Sequence, residues 1–174
     1  MNIPTNHPDC SLRPWTKDDK SALILNANNR VVWRNLTDTF PYPYTEADAD
    51  FWIGFANQAA PSIHLAIDVH GAVVGGIGII AGQGIARYTG LLGYGLGEAY
   101  WGRGIATAAA GAMCDYAFSG SLFERLEAQV FAWNPASMRV LEKLGFVREG
   151  VYQRSVFKDG QFTDGVMYAR IKPA

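Results

Sequence analysis

Apolar and polar positions alternate first at helical and then at strand spacing along this chain, and the change of period predicts the order of its elements. Leu12 to Trp15 reads as a short first strand, after which Thr16 caps a helix to about Ala27, with Asp19 three residues on as in a capping box. A second helix follows. Pro41 and Pro43 break the chain, and Thr45 then caps a segment in which Phe51, Trp52 and Phe55 fall on one side, so these aromatics are expected in the core. Ile63 to Val69 and Ala72 to Ile80 are β-rich runs separated by His70-Gly71, a dipeptide suited to a tight hairpin, which predicts antiparallel pairing.

Residues 91–97 place Gly93, Gly95 and Gly97 in alternation with Tyr94 and Leu96, so one face of a predicted strand carries no side chains. Two explanations stand side by side: a second backbone or an extended ligand lies against that face, or a sheet–helix contact is crowded there. After Glu98-Ala99-Tyr100, the segment Trp101 to Thr107 opens an Ala-rich third helix to about Phe118. Arg125 to Trp133 reads as a strand. Pro135 to Leu144 reads as a helix started by Asn134, and Gly145 ends it with Phe146 folding back on its last turn. Two final strands, about 149–158 and 163–171, are joined by Lys158-Asp159-Gly160-Gln161, a hairpin signal. The sum is an α+β fold with helices on both faces of a mainly antiparallel sheet.

Composition narrows what such a fold can do. With 174 residues and 49% hydrophobic content, the chain suits one domain over 1–174, with residues 1–10 as a loose N-terminal tail. Lys and Arg number 15 against 16 Asp and Glu, a balance that argues against nucleic acid as a partner. The start lacks the basic and apolar runs of a signal peptide, and no window has the length of a transmembrane helix. The expectation is therefore a soluble, cytoplasmic protein with no membrane partner. Cys10 and Cys114 lie in unrelated contexts, and His7, His64 and His70 add no ligand spacing, so neither a disulfide nor a metal site is expected.

The chemistry concentrates where a strand ends, turns through Gly102 and Gly104, and enters a helix at Ile105. Unpaired backbone N–H groups at the positive end of a helix dipole bind phosphate, and glycines let an anion approach the backbone. Arg103 adds a charge and Thr107 a hydroxyl. The P-loop pattern for a nucleoside triphosphate and the Gly-x-Gly-x-x-Gly unit for a dinucleotide are both absent from the sequence.

Trp101-Gly102-Arg103-Gly104-Ile105-Ala106 resembles the acetyl-CoA pyrophosphate loop of the GNAT acetyltransferase superfamily, whose pattern is Gln/Arg-x-x-Gly-x-Gly/Ala. Trp101 departs from the first position, but Tyr-Trp-Gly-basic-Gly is the form of the RimJ/RimL-type subfamily. Asn134-Pro135-Ala136-Ser137, followed by Leu141-Glu142-Lys143-Leu144-Gly145-Phe146, is similar to that subfamily's Asn-x-x-Ser…Lys-Leu-Gly-Phe segment. The resemblance runs over nearly the whole chain, from Leu12-Arg13-Pro14 to Tyr168-Ala169-Arg170.

It implies a seven-stranded mixed sheet in which the strands at 91–97 and 125–133 splay apart and pantetheine inserts between them. Backbone groups near Leu96 would bond the pantetheine amides, the 102–107 loop the diphosphate, and Asn134 the cofactor. As a helix N-cap, Asn134 has a second and compatible role. Arg139 and Lys143 read either as partners of the adenosine phosphate or as solvated helix charges. The resemblance also implies that Ser137 protonates the leaving thiolate. Leu141 stands where other branches place a tyrosine acid. Gln129 and Val156 occupy the positions of the relatives' glutamate bases, so the base is unassigned, with Glu98 and Glu127 the nearest carboxylates.

Trp33, Phe40, Tyr42, Tyr44 and Trp133 lie on segments expected to border an acceptor groove, with core packing as the competing account. The function implied is transfer of acetyl from acetyl-CoA to a primary amine, either a peptide N-terminal α-amine or a small-molecule amine, by a monomer or homodimer. The alternative is an acyl-CoA-binding sensor or interaction module without turnover.

Overall fold

The computed structural model describes residues 1–58, 61–120 and 122–173. Its strands are β1 (Ile3–Pro4), β2 (Cys10–Arg13), β3 (Ile63–Val69), β4 (Ala72–Ala81), β5 (Thr89–Leu96), β6 (Arg125–Phe131), β7 (Val147–Lys158) and β8 (Gln161–Ile171). Its helices are α1 (Lys20–Ala27), α2 (Arg30–Trp33), α3 (Glu46–Ala56), α4 (Ile105–Ser119) and α5 (Pro135–Lys143). The strands form one sheet in the order β1-β2-β3-β4-β5-β6-β8-β7, antiparallel throughout except for the β5–β6 pair. Eight strands stand where seven were expected. The additional strand comes from the segment read as a loose tail, where Ile3 and Pro4 pair with Leu12 and Ser11.

Local signals explain most boundaries. The Thr16 N–H donates to Asp19 Oδ2 at 2.8 Å, although the first turn, Lys17–Asp19, is a 3₁₀ helix rather than α. At α3 the capping box is complete: Thr45 N–H donates to Asp48 Oδ2 at 2.8 Å, and Asp48 N–H to Thr45 Oγ1 at 3.3 Å. Both predicted hairpins turn through paired positive φ angles, at His70 and Gly71 and at Asp159 and Gly160, as two-residue connections require. Gly145, at φ +79°, ends α5, and the Phe146 N–H returns to the Leu141 carbonyl at 3.1 Å.

Two elements differ from the pattern reading. Helix α2 is only one turn long, too short to carry a periodic signal. Its signal is Asn29, whose Oδ1 accepts the N–H groups of Val31 and Val32. Phe51 and Phe55, expected in the core, are 73% and 47% exposed, while Trp52 is half-buried. The face of α3 that meets the sheet is Ala49, Ile53 and Ala56, spaced four and three residues apart, and the tight contact of small residues turns the two phenylalanines outward.

The period of two in each strand divides the core. In β3, Leu65 and Ile67 join a cluster with α4, whose Ala109, Ala110, Met113, Cys114 and Ala117 are fully buried. Ala66, between them, joins Trp15, Leu23, Ala27, Tyr44 and Ile53 in a second cluster under α1 and α3. Helices thus cover both faces, α4 and α5 on one and α1 to α3 on the other.

Candidate active site

Strands β5 and β6 pair for three residues only, Thr89–Leu91 with Arg125–Glu127, after which β5 runs on to Leu96 and β6 to Phe131 without pairing to each other. A wedge opens in mid-sheet, with backbone amide and carbonyl groups along its edges. The alternating glycines of β5 and its end divide into different roles. A Cβ at Gly97 would overlap the Asn26 side chain of α1, so that glycine serves packing. One at Gly95 would make ordinary contact with Leu36, 3.5 Å away, and one at Gly93 would meet nothing within 4 Å. Gly93 is therefore where the strand face lies open to a ligand.

The turn into α4 borders this wedge. Gly102 and Gly104 hold φ of +73° and +80°, a left-handed backbone that a side chain resists, and a Cβ on either would project into open space. Ala108 N–H makes a bond to the Gly104 carbonyl at 3.0 Å, and the N–H groups of Ile105, Ala106 and Thr107 precede it, where helix geometry offers no intrahelical acceptor. Trp101 braces the turn, because its indole N–H donates to the Leu96 carbonyl at 2.8 Å. That bond engages one carbonyl at the place where pantetheine contacts were expected. The Arg103 guanidinium lies 5.5 Å from the centre of the Tyr100 ring, and Thr107 lines a cavity of about 360 Å³ with Asn6, Lys143 and Arg170.

On the far side of the wedge, Asn134 caps α5 by accepting the Ser137 N–H at 3.1 Å. Ser137 Oγ lies 2.8 Å from the Tyr94 hydroxyl, which reaches across from β5. Burial pushes the Tyr94 phenol up to about 12. In the sequence Tyr94 stands only as the spacer between two glycines, and a lone tyrosine at strand spacing carries no sign of its partner.

The predicted aromatics separate into three positions. Tyr44 is buried in the cluster under α1 and α3, with Phe40 packed against it at 4.9 Å between centroids. Trp33 and Tyr42 meet with ring centroids 5.6 Å apart and planes tilted by 33°, nearer the surface. Trp133 lies past the end of β6, under the Arg34 guanidinium at 4.4 Å, and its indole N–H is buried without a hydrogen-bond partner among the described residues.

The tip of the β7–β8 hairpin ties these parts together. Lys158, 3% exposed, donates to Asp38 at 2.8 Å and sets its ammonium 3.8 Å from the Trp33 ring centre, while Asp159 takes Arg30 at 2.8 Å. Leu36 lies over Gly95 and Arg34 over Trp133, so the loop after α2 and this hairpin bracket the open side of the wedge.

Both carboxylates named as possible bases are engaged. Glu98 accepts from the Asn29 amide at 2.6 Å, and Glu127 pairs with Arg125 at 2.7 Å. Gln129 faces Gly165, where a Cβ would overlap its amide.

A family model described as acetyltransferase (GNAT) domain matches residues 10–147. "Probable N-acetyltransferase YjcK" of Bacillus subtilis (strain 168) is 41% identical over 88 residues, 51% of this chain. The match spans about half the length of that relative, 49%. Among solved structures, a ribosomal-protein α-N-acetyltransferase, RimL, in complex with coenzyme A superposes with a TM-score of 0.88 over 98% of each chain at 22% identity. RimJ of Mycobacterium smegmatis in complex with a CoA-disulfide gives 0.86 over 98% of this chain and 87% of its own at 23% identity. At these identities the two superpositions speak to the fold, which is the GNAT fold.

Proposed function

Because the chain belongs to the acetyltransferase (GNAT) family, we propose that it moves an acetyl group from acetyl-CoA directly to a primary amine. The observation that carries this reading is the parting of β5 and β6 after Leu91 and Glu127, beside a helix entry built on two left-handed glycines. A wedge of that kind accepts an amide-bearing chain as an added strand, and the helix entry accepts its diphosphate.

The residues divide the work. N–H groups of the 102–107 turn, with Arg103 beside them and Thr107 in the first turn of α4, hold the diphosphate. Trp101 keeps the turn in place through Leu96. Asn134 reaches the pantetheine arm while it caps α5. Ser137 stands beside the sulfur. The acceptor enters over Gly93, between Trp33 and Tyr42 on one side and Trp133 on the other, with Phe40 and Tyr44 backing the wall. In the transfer, the amine nitrogen bonds to the thioester carbon, the carbon–sulfur bond breaks, the nitrogen loses one proton and the sulfur gains one. Donors to the sulfur lower the barrier as charge collects there.

The engaged state of Glu98 and Glu127 favours an amine that needs little help in losing its proton. At pH 7.4 about a fifth of α-amines with a pKa near 8 are neutral, against about one in a thousand of lysine-type amines. The acceptor is therefore a peptide N-terminus or another amine of low pKa. The same observation motivates a second reading, an acyl-CoA-binding module without turnover. Incubating acetyl-CoA with peptides, polyamines and aminoglycosides while free thiol is followed separates them. Thiol release fastest with peptide α-amines is expected. Tight binding with no thiol release from any acceptor would establish the module.

A further inference from the structure

Tyr94 and Ser137 stand 43 positions apart and meet across the wedge, with 2.8 Å between their hydroxyl oxygens. Both are anchored. Ser137 sits in the first turn of α5 through its N–H bond to Asn134, and Tyr94 lies on a strand paired to Ile77 of β4. Tyr94 Oη is also 3.3 Å from the Ser137 carbonyl oxygen. Two hydroxyls bring two protons, and with one of them held in the 2.8 Å gap between the hydroxyl oxygens two arrangements remain. In the first, Ser137 donates to Tyr94, Tyr94 donates to the carbonyl, and the serine proton is turned away from the cleft. In the second, Tyr94 donates to Ser137 Oγ, which frees the serine proton to point outward and polarises it from behind.

A negative charge beside Ser137 selects the second arrangement, since only that one aims a proton at the charge. An interaction of this kind strengthens as the charge develops, which is what lowers a barrier rather than tightening ground-state binding.

We infer that Tyr94 is the positioning residue of the leaving-group site: by donating to Ser137 Oγ it commits the serine hydroxyl to the sulfur as the carbon–sulfur bond breaks. This rests on the reading that Ser137 faces the sulfur. Tyr94 keeps its own proton throughout, because burial holds the phenol near 12, well above an ordinary thiol at about 8.5. Its titratable neighbour on α4, Cys114, is fully buried with its thiol also pushed up to about 12 by burial, so it stays uncharged and offers no competing anion.

Coenzyme A with its free thiol tests this without knowledge of the acceptor. The thiolate absorbance of the bound coenzyme is titrated in the wild type, Y94F, S137A and the double variant. The bound thiol should titrate lowest in the wild type. Each single change should raise its pKa by about half to one unit, the worth of one hydrogen bond. The double variant should titrate no higher than S137A, because Tyr94 acts only through the serine. Coenzyme affinity should stay within about twofold across the set, as the bond forms to the charged sulfur and not to the resting thiol.

A wild-type value in Y94F beside a raised value in S137A would remove the role of Tyr94 and leave that of Ser137. So would equal increments from Y94F with and without the serine. No change in S137A would remove both, and absence of coenzyme binding would remove the cofactor reading beneath them. Y94F deletes one oxygen and keeps the ring. Y94M is a second variant, close in size, that should give the same shift.

Discussion

The side-chain oxygen of Asn134 accepts the Ser137 N–H at 3.1 Å, so the residue expected beside the cofactor also closes the first turn of the helix that presents the Ser137 hydroxyl. Removing the side chain therefore has two separable effects. Asn134→Ala should cost about 1 kcal/mol of stability, a fall in melting midpoint of roughly 2–4 °C. Asn134→Asp keeps an N-cap oxygen and should restore the midpoint, but it places a negative charge beside the cofactor and should leave coenzyme A affinity reduced. Thermal melts and calorimetric titration of the two variants read these effects independently.

Gly104 sets the entry to α4 at φ +80°. Gly104→Val puts a branched side chain into a left-handed backbone, which costs about 1–2 kcal/mol, and fills the space above the first N–H groups of the helix. The variant should remain folded in circular dichroism while the heat of coenzyme A binding disappears. Unchanged binding would remove the diphosphate assignment from this turn.

Gly93 and Gly97 share a strand period but not a function. Gly97→Ala drives a methyl into Asn26 and should destabilise the protein by about 1–3 kcal/mol, as overpacking does. At Gly93 an added methyl meets nothing, so Gly93→Ala should unfold within about 0.5 kcal/mol of the wild type while thiol release from acetyl-CoA slows. Denaturant midpoints and the thiol assay together decide this. Two variants with equal stability losses would contradict the division.

Two groups predict how stability follows pH. Burial acts to raise the Asp19 carboxyl, but the Arg13 guanidinium at 2.8 Å and the Thr16 N–H outweigh it and hold the pKa below its ordinary 3.8. Its contribution is complete above the unfolded value and is lost as pH falls below 3.8 toward the depressed native value. Burial lowers the His64 imidazole, whose neutral ring lies against Trp52 and Phe55. That contribution is complete above 6.5 and is lost as pH falls through it. Unfolding free energies from pH 7.5 to 3 should fall in two steps. His64→Leu should abolish the first, and Asp19→Asn should shrink the second, to which Asp48 and Glu149, held low by Thr45 and Arg125, also contribute.

Much of the fold was legible because its signals are short-range. A capping threonine and an acid three residues on, a His-Gly or Asp-Gly pair between apolar runs, and a glycine after the last helical turn each act on their own few residues. The structure places them as the pattern reads them at Thr16 and Asp19, at the two hairpins, and at Gly145. The left-handed glycines at the entry to α4 belong to the same class, which is why the candidate site was visible from the turn Gly102-Arg103-Gly104.

What stayed illegible was decided between distant segments. Periodicity put Phe51 and Phe55 on one side with Trp52, but which side of α3 faces the sheet depended on how closely Ala49, Ile53 and Ala56 approach it. Nothing near Gly97 in the chain announces Asn26, and nothing near Tyr94 announces Ser137.

The sequence by itself determined the order of elements, their caps and turns, and the helix entry that carries the family resemblance, since each depends on backbone preferences and hydrogen bonds spanning a few residues. Only the tertiary structure decided that the parting of β5 and β6, which the resemblance implies, comes after three paired residues, that Lys158 bridges 120 positions to Asp38, and that Ser137 has a tyrosine behind it. Those relationships are set by packing across the sheet, where a contact depends on which faces meet, and no local pattern of residues encodes that.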